Sequence, residues 1–390
     1  MNCEISSWIG KKIKIVITIL LVLSGSLVVS GVFIMTDFGQ LFGIDKSIIV
    51  VYFKYNIAFS ALSLVLFGLA IHLNRKINFL KRGLIITLSV LWVIGFLSAK
   101  YVAPYMLFKT HQYDAVFKNV KDTKDYLEDS DVVYVIDLNG ETKAFPRKYI
   151  WQTHVVGTSF GEDDVVFTYC VLTNLPSPYL NSLDGKPMDL KVLAQTNNNL
   201  LLWETNSGEI ITQINNSCEF SSRKLEPIPV LEMKWEAYKR LYPEGQIFYN
   251  EFNTFIEKML AKSFSLEKTY TGDDWMFETA NMDDKRLHSK EQVIGLKDNK
   301  DALAITKDFI KNQKVYNTKV GNKDIVLAYF PEYDAIAAFD RNKDGKKLNV
   351  DEIDIFGNTP EYGKLDRVYV YNSVLWAVWA HYHPQTKLLK

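Results

Sequence analysis

The sequence predicts an α+β protein in which three N-terminal transmembrane helices precede a duplicated region rich in antiparallel sheet. Three observations lead to this fold class. The first 108 residues hold three long apolar runs, the later residues alternate short apolar segments with turn residues, and one pattern recurs 160 positions further on. We therefore divide the chain into a transmembrane segment (1–108), a first repeat (131–250), a connecting segment (251–284) and a second repeat (285–390).

The apolar runs cover residues 15–35, 47–73 and 83–105. Each has at least the roughly 20 residues that a helix needs to cross a bilayer, and the first is too long for the apolar part of a signal peptide. Basic residues precede the first run and fill the second loop, whereas the first loop has one lysine. Because basic loops stay in the cytoplasm, we expect a multi-pass protein with a cytoplasmic N terminus, a C-terminal domain outside, and the lipid bilayer as partner of three helices.

The net charge of zero hides an asymmetry between the two parts of the chain. Residues 1–105 carry ten Lys or Arg and three Asp or Glu, whereas the rest carries 35 and 42. No basic footprint for nucleic acid is visible in the sequence of the acidic globular part, so we expect no nucleic-acid partner. Cys170 and Cys218 are the only cysteines after residue 108, which excludes a disulfide scaffold.

The two predicted repeats share an order of elements. In each we predict a strand (132–137; 292–296), a short helix (146–152; 306–312), a hairpin, further strands and a final helix with aromatic residues on one face. A further helix is predicted at 253–263, and the alternative to duplication is a chance similarity of β-rich segments. The recurring residues are Val155, Thr158, Gly161, Asp164, Val165, Val166 and Tyr169, which fall on Val315, Thr318, Gly321, Asp324, Ile325, Val326 and Tyr329.

Candidate chemistry lies where the two repeats differ, because a catalytic group is needed only once. Cys170 falls on Phe330 of the second repeat, and His154 falls on Lys314. If the hairpin turns about Glu162, His154 stands directly across from Cys170. An imidazolium beside a thiol stabilises the nucleophilic thiolate, so we predict a catalytic pair for redox or metal-linked chemistry.

Other interpretations of Cys170 stay open. It is a buried structural cysteine in one of them, and it forms a disulfide with Cys218 in another. The rival to the whole chemical hypothesis is a binding module that contacts a small-molecule or protein partner and in which the cysteine is inert. The sequence identifies neither a cofactor nor that partner.

Two patterns resemble metal sites without predicting one. Residues 340–345 match the opening of an EF-hand loop, but Asp351 replaces the usual glutamate and no entering helix precedes the loop, so we predict a hairpin turn. His381 and His383 lie on the predicted last helix and point to different faces, so structural roles are predicted. We predict no metal site.

Several short motifs occur in a fixed order in the globular part. They are Asn139-Gly-Glu-Thr-Lys-Ala-Phe-Pro146, Val165-Val-Phe-Thr-Tyr-Cys170-Val-Leu-Thr173, Leu202-Trp-Glu-Thr-Asn-Ser-Gly-Glu-Ile210, Asp284-Lys-Arg-Leu287 and Ala338-Phe-Asp-Arg-Asn-Lys-Asp-Gly345. Over about residues 131–390 the chain resembles the DUF3179 family of bacterial proteins of unknown function. The resemblance implies a bacterial protein with redox or metal work at the family cysteine. Together with the three apolar runs, it leads us to expect a location in the bacterial inner or cytoplasmic membrane.

The chain departs from that family at the cysteine motif. Members typically show Cys-x-x-Cys, and here the second cysteine is Thr173, so a dithiol–disulfide cycle within the motif is excluded. The resemblance implies a pocket near this motif, and an Asn run at a turn is alternatively a solvated loop. The residues predicted to bind there are Thr173, Asn197, Asn198, Trp203 and Glu204.

Overall fold

The computed structural model describes residues 2–34, 45–97, 110–263, 265–275, 277–278, 280 and 282–390. The chain forms two compact units, one of residues 1–107 with 193–196 and one of residues 108–192 with 197–390. The first unit is mainly helical. The second combines short helices with many antiparallel strands, so the predicted α+β class is confirmed.

In the described part of the N-terminal unit, two helices, and not the predicted three, are long and apolar enough to cross a membrane. They are the segment Gly10–Ser30 of α1 (Asn2–Ile34) and the whole of α3 (Asn56–Ile77). The third predicted span corresponds to α4 (Arg82–Leu97), an apolar helix of 16 residues that rises about 24 Å. Residues 98–105 of that span lie outside the described part of the chain.

The second predicted span is interrupted. A single helix was expected over 47–73, but α2 (Lys46–Lys54) ends at Tyr55, whose φ of −107° and ψ of 17° leave the helical region. Helix α3 then continues to Ile77 and ends at Asn78, a left-handed residue whose N–H donates to Asn74 O. The helix boundaries are therefore set by turn residues that the apolar run does not show.

Polar side chains join three of these helices. Ser24 of α1 and Ser63 of α3 are fully buried, and each hydroxyl donates to the other residue's carbonyl oxygen, at 2.8 and 2.9 Å. Trp92 of α4 donates its indole N–H to Ser63 Oγ at 2.9 Å. Such hydrogen bonds and small residues are typical of helix association in apolar surroundings.

The second unit begins with a five-stranded sheet in the order β1-β12-β3-β2-β11. Strands β2 and β3 form a hairpin, α5 follows, and β4, β5 and β6 form an antiparallel meander. Strand β11, helix α6 and strand β12 then return the chain to the first sheet, where β12 runs parallel to β3. The bounds are β1 (Val116–Asn119), β2 (Val132–Leu138), β3 (Glu141–Pro146), α5 (Arg147–Thr153), β4 (Val155–Phe160), β5 (Asp163–Cys170), β6 (Leu175–Leu180), β11 (Leu231–Lys234), α6 (Trp235–Leu241) and β12 (Gln246–Tyr249).

Later elements repeat this order. A four-stranded sheet runs β22-β13-β14-β23, with β23 parallel to β14, and β15, β16 and β17 form the second meander. The first sheet has β1 outside β12, whereas β23 is the outer strand of the second sheet. The bounds are β13 (Gln292–Asp298), β14 (Asp301–Thr306), α9 (Lys307–Gln313), β15 (Val315–Val320), β16 (Lys323–Phe330), β17 (Ala335–Asp340), β22 (Tyr371–Leu375), α10 (Trp376–Tyr382) and β23 (Lys387–Leu389).

The two halves differ between the meander and the last helix. The first half has a sheet in the order β10-β9-β8-β7, with β7 (Leu190–Thr196), β8 (Asn199–Glu204), β9 (Glu209–Thr212) and β10 (Ser217–Cys218). The second has two small hairpins, β18 (Asn342–Lys343) with β19 (Lys346–Lys347) and β20 (Asn358–Thr359) with β21 (Gly363–Lys364). The hairpin turn predicted at 340–345 is therefore confirmed. Between the halves lie α7 (Phe255–Ser263) and α8 (Leu266–Tyr270).

Aromatic side chains of the last helix in each half are buried in the core, as the sequence pattern predicts. Trp235 and Tyr238 of α6 are buried, as are Trp376 and Trp379 of α10. Trp379 packs so closely on β13 that a Cβ at Gly295 would lie 2.5 Å from its ring, so only glycine fits there. His383 ends α10, is buried against Trp379, and has a pKa that burial lowers to about 3. The His383 imidazole is therefore neutral and has a packing role in this fold.

Candidate functional site

Cys170 is the last residue of β5 and is fully buried. The turn that follows brings Thr173 back, so that its hydroxyl donates to Cys170 Sγ at 3.2 Å. Both groups also contact the carbonyl oxygen of Asn198, which lies 3.7 Å from Sγ. The thiol therefore sits in a closed set of hydrogen bonds between the β5–β6 turn and the turn before β8.

His154 does not face Cys170. Strand β4 pairs with β5 so that Val155 lies opposite Thr168, and the Tyr169 N–H donates to His154 O. The predicted register is wrong by one residue because the hairpin closes with a two-residue turn: Phe160 pairs with Asp163, and Gly161 has a φ of +61°. His154 consequently lies opposite Tyr169, one position before the cysteine.

The backbone explains the position of His154. It ends α5 with a φ of +58°, and its N–H donates to Ile150 O at 2.9 Å. Lys314 ends α9 in the same way, with a φ of +62° and an N–H bonded to Ile310 O. A helix end is therefore needed at both positions, and an imidazole only at the first, where Nδ1 lies 2.8 Å from Tyr169 O.

Burial keeps both groups neutral at pH 7. Desolvation raises the pKa of the Cys170 thiol to about 11, although the hydrogen bond from Thr173 acts in the opposite direction. Desolvation lowers the pKa of His154 to about 4, although its hydrogen bond to Tyr169 opposes this shift. The closed structure thus holds a thiol and an imidazole, and not the thiolate and imidazolium on which the sequence hypothesis depends.

A family model matches residues 112–386, which include every residue of this site. The chain belongs to the DUF3179 family. The family is described only as a protein of unknown function, so membership assigns no activity to Cys170. Comparisons with curated proteins and with solved structures gave no match to the chain.

Two of the five predicted binding residues of this DUF3179 chain lie at the cysteine. Thr173 bonds to Sγ, and Asn198 is fully buried at a left-handed turn instead of lying in a solvated loop. The Asn198 side chain donates to Phe277 O and accepts from the Ala280 N–H, both at 2.8 Å. The connecting segment is therefore fixed over the turn that contacts Cys170.

The other three predicted residues have different positions. Asn197 precedes Asn198 in the same turn and is half-buried, with a φ of +48°. Trp203 and Glu204 lie at the far end of β8, about 17 Å along the strand from Asn199. Glu204 accepts hydrogen bonds from the N–H groups of Asp189 and Asn206 and closes the turn after β8. The structure therefore does not bring Trp203 and Glu204 to the cysteine.

A buried polar cluster beside Cys170 was missed by sequence reasoning. Asn174, at a φ of +55°, accepts hydrogen bonds from the hydroxyls of Tyr134 at 2.9 Å and Tyr169 at 2.8 Å. Its amide donates to Ser373 O at 2.9 Å, and thereby joins the two halves of the DUF3179 region. Tyr270 donates to Val171 O and closes the cluster from the connecting segment. The sequence signal for this cluster was Asn174, a polar residue directly after the cysteine motif.

Neither a disulfide nor a metal cluster forms here. Cys170 and Cys218 are both free and buried, and burial raises the pKa of Cys218 to about 11. No group of three or more His, Cys, Asp or Glu side chains that could hold a metal ion occurs in the part of the chain that the structure describes.

The DUF3179 region also contains an open cavity of about 540 Å³. This volume lies within the range of small-molecule sites. It is formed by the loop before β11 in the first half and by the ends of β13, β16 and β22 in the second. We call it the basic cleft, because its lining includes Lys224, Lys297, Lys323 and Arg367.

Proposed function

We propose that this DUF3179 protein is a membrane-anchored binding module whose cysteine is structural. The main support is the contrast between an open cleft with charged walls and a thiol with no exposed surface. A catalytic thiol needs both a path to substrate and an accessible thiolate, whereas a binding module needs only the cleft. The similar order of elements in the two halves is consistent with the duplication that we infer for this region.

Membrane anchoring is supported by the exposed surface of the apolar helices. Only 17% of the first candidate span and 11% of the second are buried, so large apolar side chains such as Val22 and Leu64 face outward. A core helix of a soluble protein would bury most of them, and a lipid environment is the physical alternative.

We propose that the N terminus lies in the cytoplasm of a bacterial cell and the DUF3179 region outside the cytoplasmic membrane. Lys14 Nζ lies 5.5 Å from the Phe79 ring, so the basic N-terminal segment and the basic α3–α4 loop share one end of the helical unit. That end is the cytoplasmic one by the distribution of Lys and Arg. An outside C-terminal domain then requires α4 to cross as well.

Selective labelling tests this topology. The variant Asn299→Cys places a thiol in the exposed β13–β14 turn, whereas the native Cys170 and Cys218 are buried. A membrane-impermeant maleimide should label residue 299 in intact cells with the outer membrane permeabilised, and should label Cys3 only after lysis. Labelling of residue 299 only after lysis would place the domain in the cytoplasm.

Alkylation tests the structural role of the cysteine. The full chain in detergent is treated with iodoacetamide between pH 6 and pH 9, before and after unfolding, and the Cys170 peptide is measured by mass spectrometry. We expect modification only after unfolding, and no effect of His154→Ala on the folded protein. Rapid modification at pH 6 that disappears in His154→Ala would contradict a structural cysteine and support thiol chemistry at Cys170.

Single-thiol chemistry at Cys170 with His154 is the second candidate function. It is favoured by the hydrogen bond from Thr173 to Sγ, which stabilises a thiolate and lowers the thiol pKa against the effect of burial. This function requires the connecting segment to open, because Asn198 and its partners Phe277 and Ala280 close the site.

A further inference from the structure

The charge of the basic cleft differs from that of the surrounding domain. Four cations and two carboxylates line it, although the globular part of the chain is acidic. The three lysines form no ion pair with any described residue, whereas Lys307 and Lys311 nearby pair with Glu232 and Asp334 at 2.9 and 2.8 Å. The cleft therefore carries a net positive charge of two, and its three lysines form no ion pair with the two lining carboxylates, Glu226 and Asp298.

Two of these lysines lie close together. Lys297 is half-buried at the end of β13, and burial followed by the positive charge of Lys224 lowers its pKa. Bringing like charges together in a partly desolvated site is unfavourable, and a bound anion removes that repulsion. This arrangement is typical of an anion site and has no evident benefit for folding.

Arg367 adds a fixed positive charge. One terminal nitrogen donates to Ile355 O at 2.5 Å, which fixes the guanidinium, while Nε is buried and has no acceptor among the described residues. The guanidinium therefore attracts an anion in the cleft through its charge.

The internal repeat shows that the fold does not require these charges. With the offset of 160, Lys297 and Lys323 correspond to Asp137 and Asp163. The strand pairings agree, because Lys297 pairs with Ala302 as Asp137 pairs with Thr142, and Lys323 and Asp163 are each the first residue after their hairpin turn. The same backbone positions are thus acidic in one half and basic in the other.

Aromatic rings form the remaining wall. Tyr369 and Tyr371 line the cleft with ring centroids 5.2 Å apart. Their hydroxyls are already bonded, Tyr369 to Pro176 O and Tyr371 to the Asn216 amide. Both rings are therefore held in place; Tyr371 is buried behind Tyr369, and the half-buried Tyr369 ring lies at the surface of the cleft.

We infer that the basic cleft binds a small soluble anion with at least two negative charges, held by Lys224, Lys297 and Lys323 beside the charge of Arg367, with its carbon body against Tyr369. Phosphate and carboxylate groups both fit these donors. The inference rests on the proposed function, because it names the ligand class of the binding module.

Calorimetric titration of the full chain in zwitterionic-lipid nanodiscs tests the inference, with pyrophosphate and citrate as probes. We expect binding that weakens at 1 M salt. Lys297→Gln and the double variant Lys224→Gln/Lys323→Gln should each weaken it about tenfold or more, since hydrogen bonds to charged groups have that effect. Lys346→Gln removes an exposed charge outside the cleft and should change affinity less than about twofold.

The controls separate the possible failures. Equal weakening by Lys346→Gln, or binding that requires anionic lipid, would overturn the assignment to a soluble anion in this cleft. If neither probe binds but an uncharged or cationic compound does, and Tyr369→Ala removes that binding, the anion class is wrong and the binding module stands. If every compound that stabilises the protein stabilises the cleft variants equally well, the cleft binds none of them. Both the anion assignment and the proposed binding module are then wrong.

Discussion

His154 Nδ1 lies 2.8 Å from the carbonyl oxygen of Tyr169, in a buried pair that links the end of α5 to β5. The imidazole is neutral there, because burial lowers its pKa to about 4. The unfolded chain has a His pKa near 6.5. Between these two values the unfolded state binds the additional proton, so the stability of the fold decreases as the pH falls.

We therefore predict an acid-sensitive fold with a specific origin. The free energy of unfolding should fall by on the order of 3 kcal/mol from this residue between pH 6.5 and pH 4. His154→Asn tolerates the positive φ and should show a flatter pH dependence, measured by chemical denaturation of the full chain in detergent. His383 acts in the same direction, so some dependence remains. An unchanged slope in His154→Asn would contradict the prediction.

The register of the β4–β5 hairpin could not be predicted correctly from the sequence, although other elements could. Strands β2 and β13 and helices α5 and α9 lie within two residues of their predicted positions, because apolar periodicity specifies them. The β4–β5 pairing depends on one turn, and choosing a three-residue turn instead of a two-residue turn moved His154 by one position. The basic cleft was not predictable, because it combines residues about 150 positions apart that no local pattern connects.

Thr173→Cys should restore a dithiol. The Thr173 hydroxyl oxygen lies 3.2 Å from Cys170 Sγ, so a thiol at this position is close enough to bond with little movement. We expect a disulfide between residues 170 and 173 under oxidising conditions, detected as a loss of two titratable thiols that dithiothreitol reverses. Thr173→Val should keep Cys170 free and should destabilise the fold by about 1–3 kcal/mol, since buried Asn198 and Asn199 each lose a hydrogen bond. Two free thiols in oxidised Thr173→Cys would show that the turn cannot adopt disulfide geometry.

Asn174→Ala should be among the most destabilising single changes in the DUF3179 region. It removes the acceptor of two buried tyrosine hydroxyls and the donor to Ser373 O. We expect a loss of about 3 kcal/mol or more. Asn299→Ala is the matched control, because Asn299 has a similar φ of +52° but is exposed, so it measures only the left-handed backbone term of about 1–2 kcal/mol. Equal losses in the two variants would mean that the buried amide contributes nothing.

Lys290→Met should expose Cys170 by loosening the connecting segment around Tyr270. Lys290 is buried, and its ammonium donates to the carbonyl oxygens of Lys268 and Thr271 and contacts that of Asp274, which holds the chain around Tyr270. Without these bonds we expect several-fold faster alkylation of Cys170 in the folded protein. Lys285→Met, at an exposed lysine bonded to one carbonyl, should leave the rate unchanged. If Cys170 stays protected from alkylation in Lys290→Met, that protection does not depend on Lys290.

Among the residues that the structure describes, no strand pairs with the outer edge of β23 in the second sheet, whereas β1 covers the corresponding edge of the first sheet. An uncovered edge offers backbone donors and acceptors to a strand of another molecule. Lys387 begins β23 and Lys390 directly follows it. Their charges repel the same edge of a second copy, so these two lysines are positioned to keep neighbouring molecules from joining sheet to sheet.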